Sequence, residues 1–95
     1  MFNLLRSCSA VLLALACAHP AFADEAQIRK NITARLPGFP KIDEVTKTAI
    51  PGIYELRSGT DVVYTDENGD HLFQGDLIET KSHVNLTEAR VDKLT

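Results

Sequence analysis

The chain has 95 residues, ten basic against thirteen acidic, with two cysteines and no tryptophan. That length holds one small domain at most. A net charge of −3 without any basic run excludes a nucleic-acid or anionic-lipid surface as the main partner.

Residues 1–23 have the layout of a secretory signal peptide. Met1 to Arg6 carries one positive charge, Ser7 to Ala18 is almost wholly apolar, and Ala21-Phe22-Ala23 is a small-x-small site followed by Asp24. The stretch is too short, and wrongly flanked, to span a membrane once processed. Cleavage is expected between Ala23 and Asp24. A lipid anchor on Cys17 is disfavoured, because Ala14 stands where such signals place leucine. Processing removes both Cys8 and Cys17, so the 72 residues from Asp24 onward have no thiol and carry nine basic and thirteen acidic side chains. No disulfide, thiolate nucleophile or thiolate metal site can form there. A domain of this size buries only about 60% of its unfolded surface. A partner chain is then the expected source of further stability.

Ile28, Ile32 and Leu36 recur at helical spacing and predict a helix over Asp24 to Leu36, capped by Asp24 with Gln27 in capping-box position and ended by Pro37-Gly38. The narrow stripe suits packing on the protein's own sheet. Ile42 to Thr48 reads as a weakly patterned first strand, and Ala49-Ile50-Pro51-Gly52 as a corner.

Ile53 to Glu79 holds most of the strand signal and reads as a meander. Tyr54 and Leu56 alternate with Glu55 and Arg57, and Val62 and Tyr64 with Val63 and Thr65, the period of strands with one face buried. Ser58-Gly59-Thr60-Asp61 closes the first pair. Asp66-Glu67-Asn68-Gly69 closes the second, with Asn-Gly supplying the positive φ values of a tight hairpin. His71-Leu72-Phe73-Gln74 forms a third run that stops at Gly75, and Leu77-Ile78 opens another extended segment. Glycine in a strand pattern marks either a bend or a close approach by another chain, and Gly75 leaves both open.

Thr80 to His83 is polar loop. Thr87 is the expected N-cap of a closing helix, with Glu88 in its first turn, Leu86 and Val91 as a hydrophobic staple, and Val91 and Leu94 on one face. That helix reaches Thr95 within about two turns and reads as an element interrupted part-way.

Chemistry is sparse. Asp66, Asn68 and Asp70 have the first spacings of a calcium loop, but His71 and Leu77 stand where its glycine and bidentate glutamate belong, so a charged turn is the reading. His71 and His83 lack the companions of a metal site. The sequons Asn31-Ile32-Thr33 and Asn85-Leu86-Thr87 fall on predicted helical elements and are treated as incidental. No catalytic constellation and no cofactor site is expected.

Taken together, the signal segment, the short helix, Ile50-Pro51-Gly52-Ile53-Tyr54-Glu55-Leu56, Val63-Tyr64-Thr65-Asp66-Glu67-Asn68-Gly69 and Leu72-Phe73-Gln74-Gly75-Asp76-Leu77-Ile78 resemble the N-terminal domain of the periplasmic DsbC and DsbG disulfide isomerases. The resemblance implies an α+β, cystatin-like fold with one helix on a curled antiparallel sheet over residues 24–84, and the start of an interdomain linker helix at 85–95. It also implies a homodimer joined through Leu72, Phe73, Gln74, Gly75, Asp76 and Leu77. In the family, that dimer holds two thioredoxin-like domains across a cleft for misfolded, disulfide-containing substrates, whose wrong disulfides a C-x-x-C cysteine attacks. These residues contain no C-x-x-C, so the resemblance places no isomerase activity in them. The alternative is a free-standing periplasmic binding or inhibitory domain, similar to PepSY modules, that takes a peptide along a sheet edge.

Overall fold

The computed structural model describes residues 20–95, with side chains from Asp24 onward. Helix α1 spans Pro20–Arg35. The strands are β1 Glu44–Lys47, β2 Ile53–Ser58, β3 Asp61–Asp66, β4 Leu72–Phe73, β5 Ile78–Glu79 and β6 Val84–Asn85, and helix α2 spans Leu86–Leu94. Strands β1 to β4 form one antiparallel sheet in sequence order, and β5 pairs with β6 in a separate ribbon. The α+β class expected from the sequence is what the chain adopts. The segment expected to be removed as a signal, residues 1–23, lies outside the described residues as far as position 19.

Helix α1 begins four residues earlier than its periodicity predicts. Pro20 stands at its first position, where a missing N–H costs nothing. Asp24 is therefore inside the helix and caps nothing. Its carboxylate accepts a hydrogen bond from the Tyr54 hydroxyl at 2.9 Å instead. The expected cleavage bond, Ala23–Asp24, falls within α1. Ile28 and Ile32 are buried as the stripe requires, whereas Leu36 is 43% exposed because the helix has ended before it.

The turns follow their glycines. The corner between β1 and β2 is a four-residue turn closed by Ile53 N–H to Ile50 O at 3.1 Å, with Pro51 second and Gly52 third at φ +80°. Proline followed by a positive-φ glycine is the type II requirement. Gly59 and Thr60 link β2 to β3 across the Ser58–Asp61 pair, and only Gly59 takes positive φ. The β3–β4 connection differs from the tight hairpin expected of Asn68-Gly69. Thr65 pairs with Leu72, leaving a six-residue loop, and Gly69 alone has positive φ.

Gly69 also answers to the helix above it. A Cβ there would lie 3.3 Å from the Ile28 Cα, the Ile28 carbonyl oxygen and the Ile32 Cγ1. The loop is tied to α1 on either side of that contact. Asn31 Nδ2 donates to the Asn68 carbonyl at 2.7 Å, and Arg35 pairs with Asp70. The first sequon asparagine thus has a structural occupation.

Ile28, Ile32, Ile42, Tyr54 and Leu56 form the core, with Phe39, Val45, Val63 and Leu72 packed against it. The opposite face of the sheet is also covered, which the expectation of one buried face missed. Tyr64 and Glu55 are buried there under α2, whose own Thr87 is buried against the sheet.

Candidate functional site

The strongest candidate for contact with another molecule is the run from Leu72 to Leu77. The sequence predicts a four-residue strand from His71 to Gln74, but β4 keeps only Leu72 and Phe73, paired with Thr65 and Tyr64. Beyond Phe73 the chain leaves the sheet, and among the described residues no strand lies along the outer edge of β4. Leu72 turns into the core. Phe73 stacks on Tyr64 with ring centroids 5.7 Å apart and stays 44% exposed. Gln74, Gly75 and Asp76 are exposed, and Leu77 is half-buried. Gly75 forms a bend at φ +140°, and among the described residues no atom outside its two chain neighbours comes within 4 Å of where a Cβ would lie. Within one chain, then, Gly75 turns the backbone and nothing crowds it.

The loop before this edge is braced from inside. Thr65 Oγ1 donates to the His71 carbonyl at 2.7 Å, and Asp66 Oδ1 accepts from the Asp70 N–H at 2.7 Å. The other Asp66 oxygen meets His71 Nδ1. That hydrogen bond, together with the charge of Asp66, raises the His71 pKa above the ordinary imidazole value. Burial pulls Asp66 upward, but the His71 contact and the two backbone N–H groups outweigh it and hold the carboxyl low. Both Asp66 oxygens and one Asp70 oxygen of the calcium-like spacing are therefore spent on the protein. Among the described residues, no group of three or more His, Cys, Asp or Glu side chains is placed to hold a metal ion.

Behind the edge lies a polar lock that the sequence does not announce. Thr87 is buried, its Oγ1 accepts from the Leu77 N–H at 2.8 Å, and its hydroxyl shares a hydrogen bond with that of Tyr64. Leu86 N–H donates to the Leu77 carbonyl at 2.7 Å. Thr87 is thus not the cap of α2. Asn85 is, accepting from the Glu88 N–H at 2.9 Å. With the cap at Asn85, Leu86 and Val91 are no longer in staple register. The sequence predicts an extended segment opening at Leu77-Ile78 and a polar loop from Thr80 to His83, and the chain pairs β5 with β6 across that loop. His83, at φ 62°, turns the chain between the two strands. A cavity of about 410 Å³ opens beside the edge, lined among others by Val62, Val63, Gln74, Thr87 and Val91.

Charges on the same face of the sheet are paired. Arg90 Nε donates to Glu55 at 2.9 Å and its Nη2 to Glu44, while Arg57 Nε reaches the same Glu44 oxygen at 3.0 Å. The Arg57 hydrogen bond is the largest influence on Glu44 and, joined by Arg90, holds its carboxyl low despite some desolvation. Glu55 and Glu44 in turn raise Arg90.

An N-terminal helix over a four-stranded antiparallel meander, with an exposed last edge and a second helix pinned behind it, describes a small α+β domain. Residues 19–88 match the family described as the disulfide bond isomerase protein N-terminal domain, and the chain belongs to it. It is 31% identical over 68 residues to the probable thiol:disulfide interchange proteins DsbC of Bordetella pertussis, Bordetella parapertussis and Bordetella bronchiseptica. The alignment covers 72% of this chain and 24% of each relative, so the chain spans about a quarter of their length. No solved structure matches the chain. Among the described residues, no helix is long and apolar enough to cross a membrane.

Proposed function

We propose that this chain is the homodimerisation module of a periplasmic thiol:disulfide interchange protein, exported by the segment ending at Ala23. The observation that carries the reading is the bare edge after Phe73. A large aromatic is left half in solvent on a two-residue strand, followed by three exposed residues, one of them a glycine with open space around it. An edge of that kind invites a second strand. A second copy pairing along Leu72 to Leu77 would cover it, with Gly75 at the crossing where a side chain would hold the two backbones apart. Exposed Ile78 and Val84 extend the apolar area beside it.

On this reading the module holds two thioredoxin-like domains in facing positions. Thiol exchange on misfolded substrates belongs to those domains, because residues 24–95 contain no cysteine.

Sedimentation equilibrium of residues 24–95 at on the order of tens of micromolar tests it, since a dimer of micromolar affinity is populated there. A dimer is expected, and a strict monomer overturns the reading. Gly75→Arg is expected to split the dimer. Arginine is also strained at φ +140°, so Phe73→Glu, which leaves that backbone alone, is the companion. A dimer unchanged in both variants removes this edge from the interface.

One observation favours a second reading as a peptide-binding domain. Among the described residues, Asp61 to Val63 of β3 have no strand partner on the β4 side, and the 410 Å³ cavity opens beside them. An extended peptide could add there as a strand. Amide shifts confined to β3 on adding an unfolded protein, from a chain that stays monomeric, would support it.

A further inference from the structure

Helix α2 is nine residues long, too short to persist in water by itself. What holds it is not an apolar stripe, because Thr87 is its one buried residue and Val91 and Leu94 are only partly covered. Its two strong attachments are polar and one turn apart on the same face, at Thr87 and Arg90. Thr87 fixes the first turn to Leu77 and Tyr64. A single attachment of that kind leaves the rest of the helix free to swing.

Arg90 supplies the second point. The Glu55 side chain is only 10% exposed, and Arg90 is the side chain that pairs with it. Removing the arginine while α2 stays docked would leave that carboxylate covered with its cation gone, a far larger penalty than losing a surface ion pair, so the pair and the docking of α2 depend on each other. The guanidinium also engages a second strand, since its other end reaches Glu44 of β1, itself held by Arg57. Arg57 extends the chain of charges to Asp43 at 3.7 Å and to the Gly59 carbonyl at 3.0 Å. Two nitrogens of one planar group meeting carboxylates on two strands is a task that lysine, with one compact ammonium, performs only in part.

We propose that Arg90 is a positioning residue whose double ion pair to Glu55 and Glu44 fixes the direction in which α2 leaves the sheet, making the helix a rigid strut. The clamp stands on the geometry alone. Its use, to aim a following domain relative to the dimer platform, rests on the function proposed above.

Backbone dynamics and amide exchange of the full chain by NMR test the clamp. In the unmutated protein, α2 amides are expected to have the order parameters of β2 and β3, near the rigid value of about 0.85. Values below about 0.6 in α2 overturn the proposal without any variant. In Arg90→Met, exchange of the α2 amides is expected to quicken about tenfold relative to those of Tyr54, Leu56 and Tyr64. Arg90→Lys should fall between, and adding Glu55→Met to Arg90→Met should restore much of the protection by removing the stranded charge. Unchanged α2 exchange in Arg90→Met overturns the clamp. So does an equal loss in α2 and the sheet, which would make Arg90 a general stabiliser. Sedimentation separates the two proposals: a monomer with a rigid α2 ends the dimer reading and leaves the clamp, and a dimer with a loose α2 does the reverse.

Discussion

Against one face of the four-stranded sheet, α1 is held by aliphatic burial: Ile28 and Ile32 lie on Tyr54 and Leu56, and the loop glycine Gly69 lets the helix backbone come down onto it. Against the other face, α2 is held by a buried hydroxyl pair and a shared arginine. The first arrangement tolerates small errors in angle, because dispersion and the hydrophobic effect have no preferred direction. The second does not, because hydrogen bonds and paired charges weaken steeply when misaligned. The face under α1 therefore supplies most of the apolar burial, with its polar ties at the helix's ends and flank, and the face under α2 rests on directional contacts.

Substitutions on the two faces should separate these roles. Leu56→Ala, at a residue 1% exposed in the centre of the apolar side, is expected to cost about 2–5 kcal/mol, a large share of what a domain this small possesses. Urea unfolding followed by circular dichroism measures it, and a cost near zero would mean that α1 is not docked as described. Thr87→Val keeps the shape but leaves the Leu77 N–H and the Tyr64 hydroxyl without their partner, at about 1–3 kcal/mol. Its effect should be concentrated in exchange of the α2 and β5 amides.

Gly69→Ala is expected to cost about 1–2 kcal/mol, from a positive φ and from contact with the Ile28 backbone. Gly59→Ala has the positive φ without the crowding and should cost less, so the difference in urea midpoint between the two isolates the helix contact.

The smallest expected effect is a pH dependence from the Asp66–His71 pair. The folded His71 pKa lies above the unfolded value of 6.5, so its contribution is complete below that value and is lost as the pH rises through the folded one. Asp66 lies below its unfolded 3.8, so its part is present above that value and fades as the pH falls through the folded one. Thermal midpoints between about pH 5 and 9 should decline on the alkaline side in the unmutated chain, and more flatly in His71→Asn.

The apolar face was legible in the sequence and the polar face was not, for a physical reason. Ile28, Ile32, Tyr54 and Leu56 declare their side by periodicity, and Pro51-Gly52 and Gly59 declare their turns by dihedral need. Thr87 and Asn85, in contrast, are both competent caps two residues apart. Only the position of Tyr64 and Leu77 decides that Asn85 takes the cap while Thr87 goes inward. Glu55 and Arg90 stand 35 residues apart, and nothing local couples them. Periodicity also could not show that β4 would stop after two residues or that Pro20 would start α1. Of the candidate edge, sequence supplied the segment and its glycine. The exposure of Phe73 and the six-residue loop that delivers it came from the three-dimensional arrangement.

The chain has two tyrosines and no tryptophan. The hydroxyl of Tyr54 ends on Asp24 of the first helix and that of Tyr64 on Thr87 of the second. The tyrosine absorption in the near-ultraviolet is thus divided between two intrinsic reporters, each sensing the attachment of a different helix. Replacing either ring with phenylalanine would leave an optical probe for the other, so the order in which the helices detach could be followed without a label.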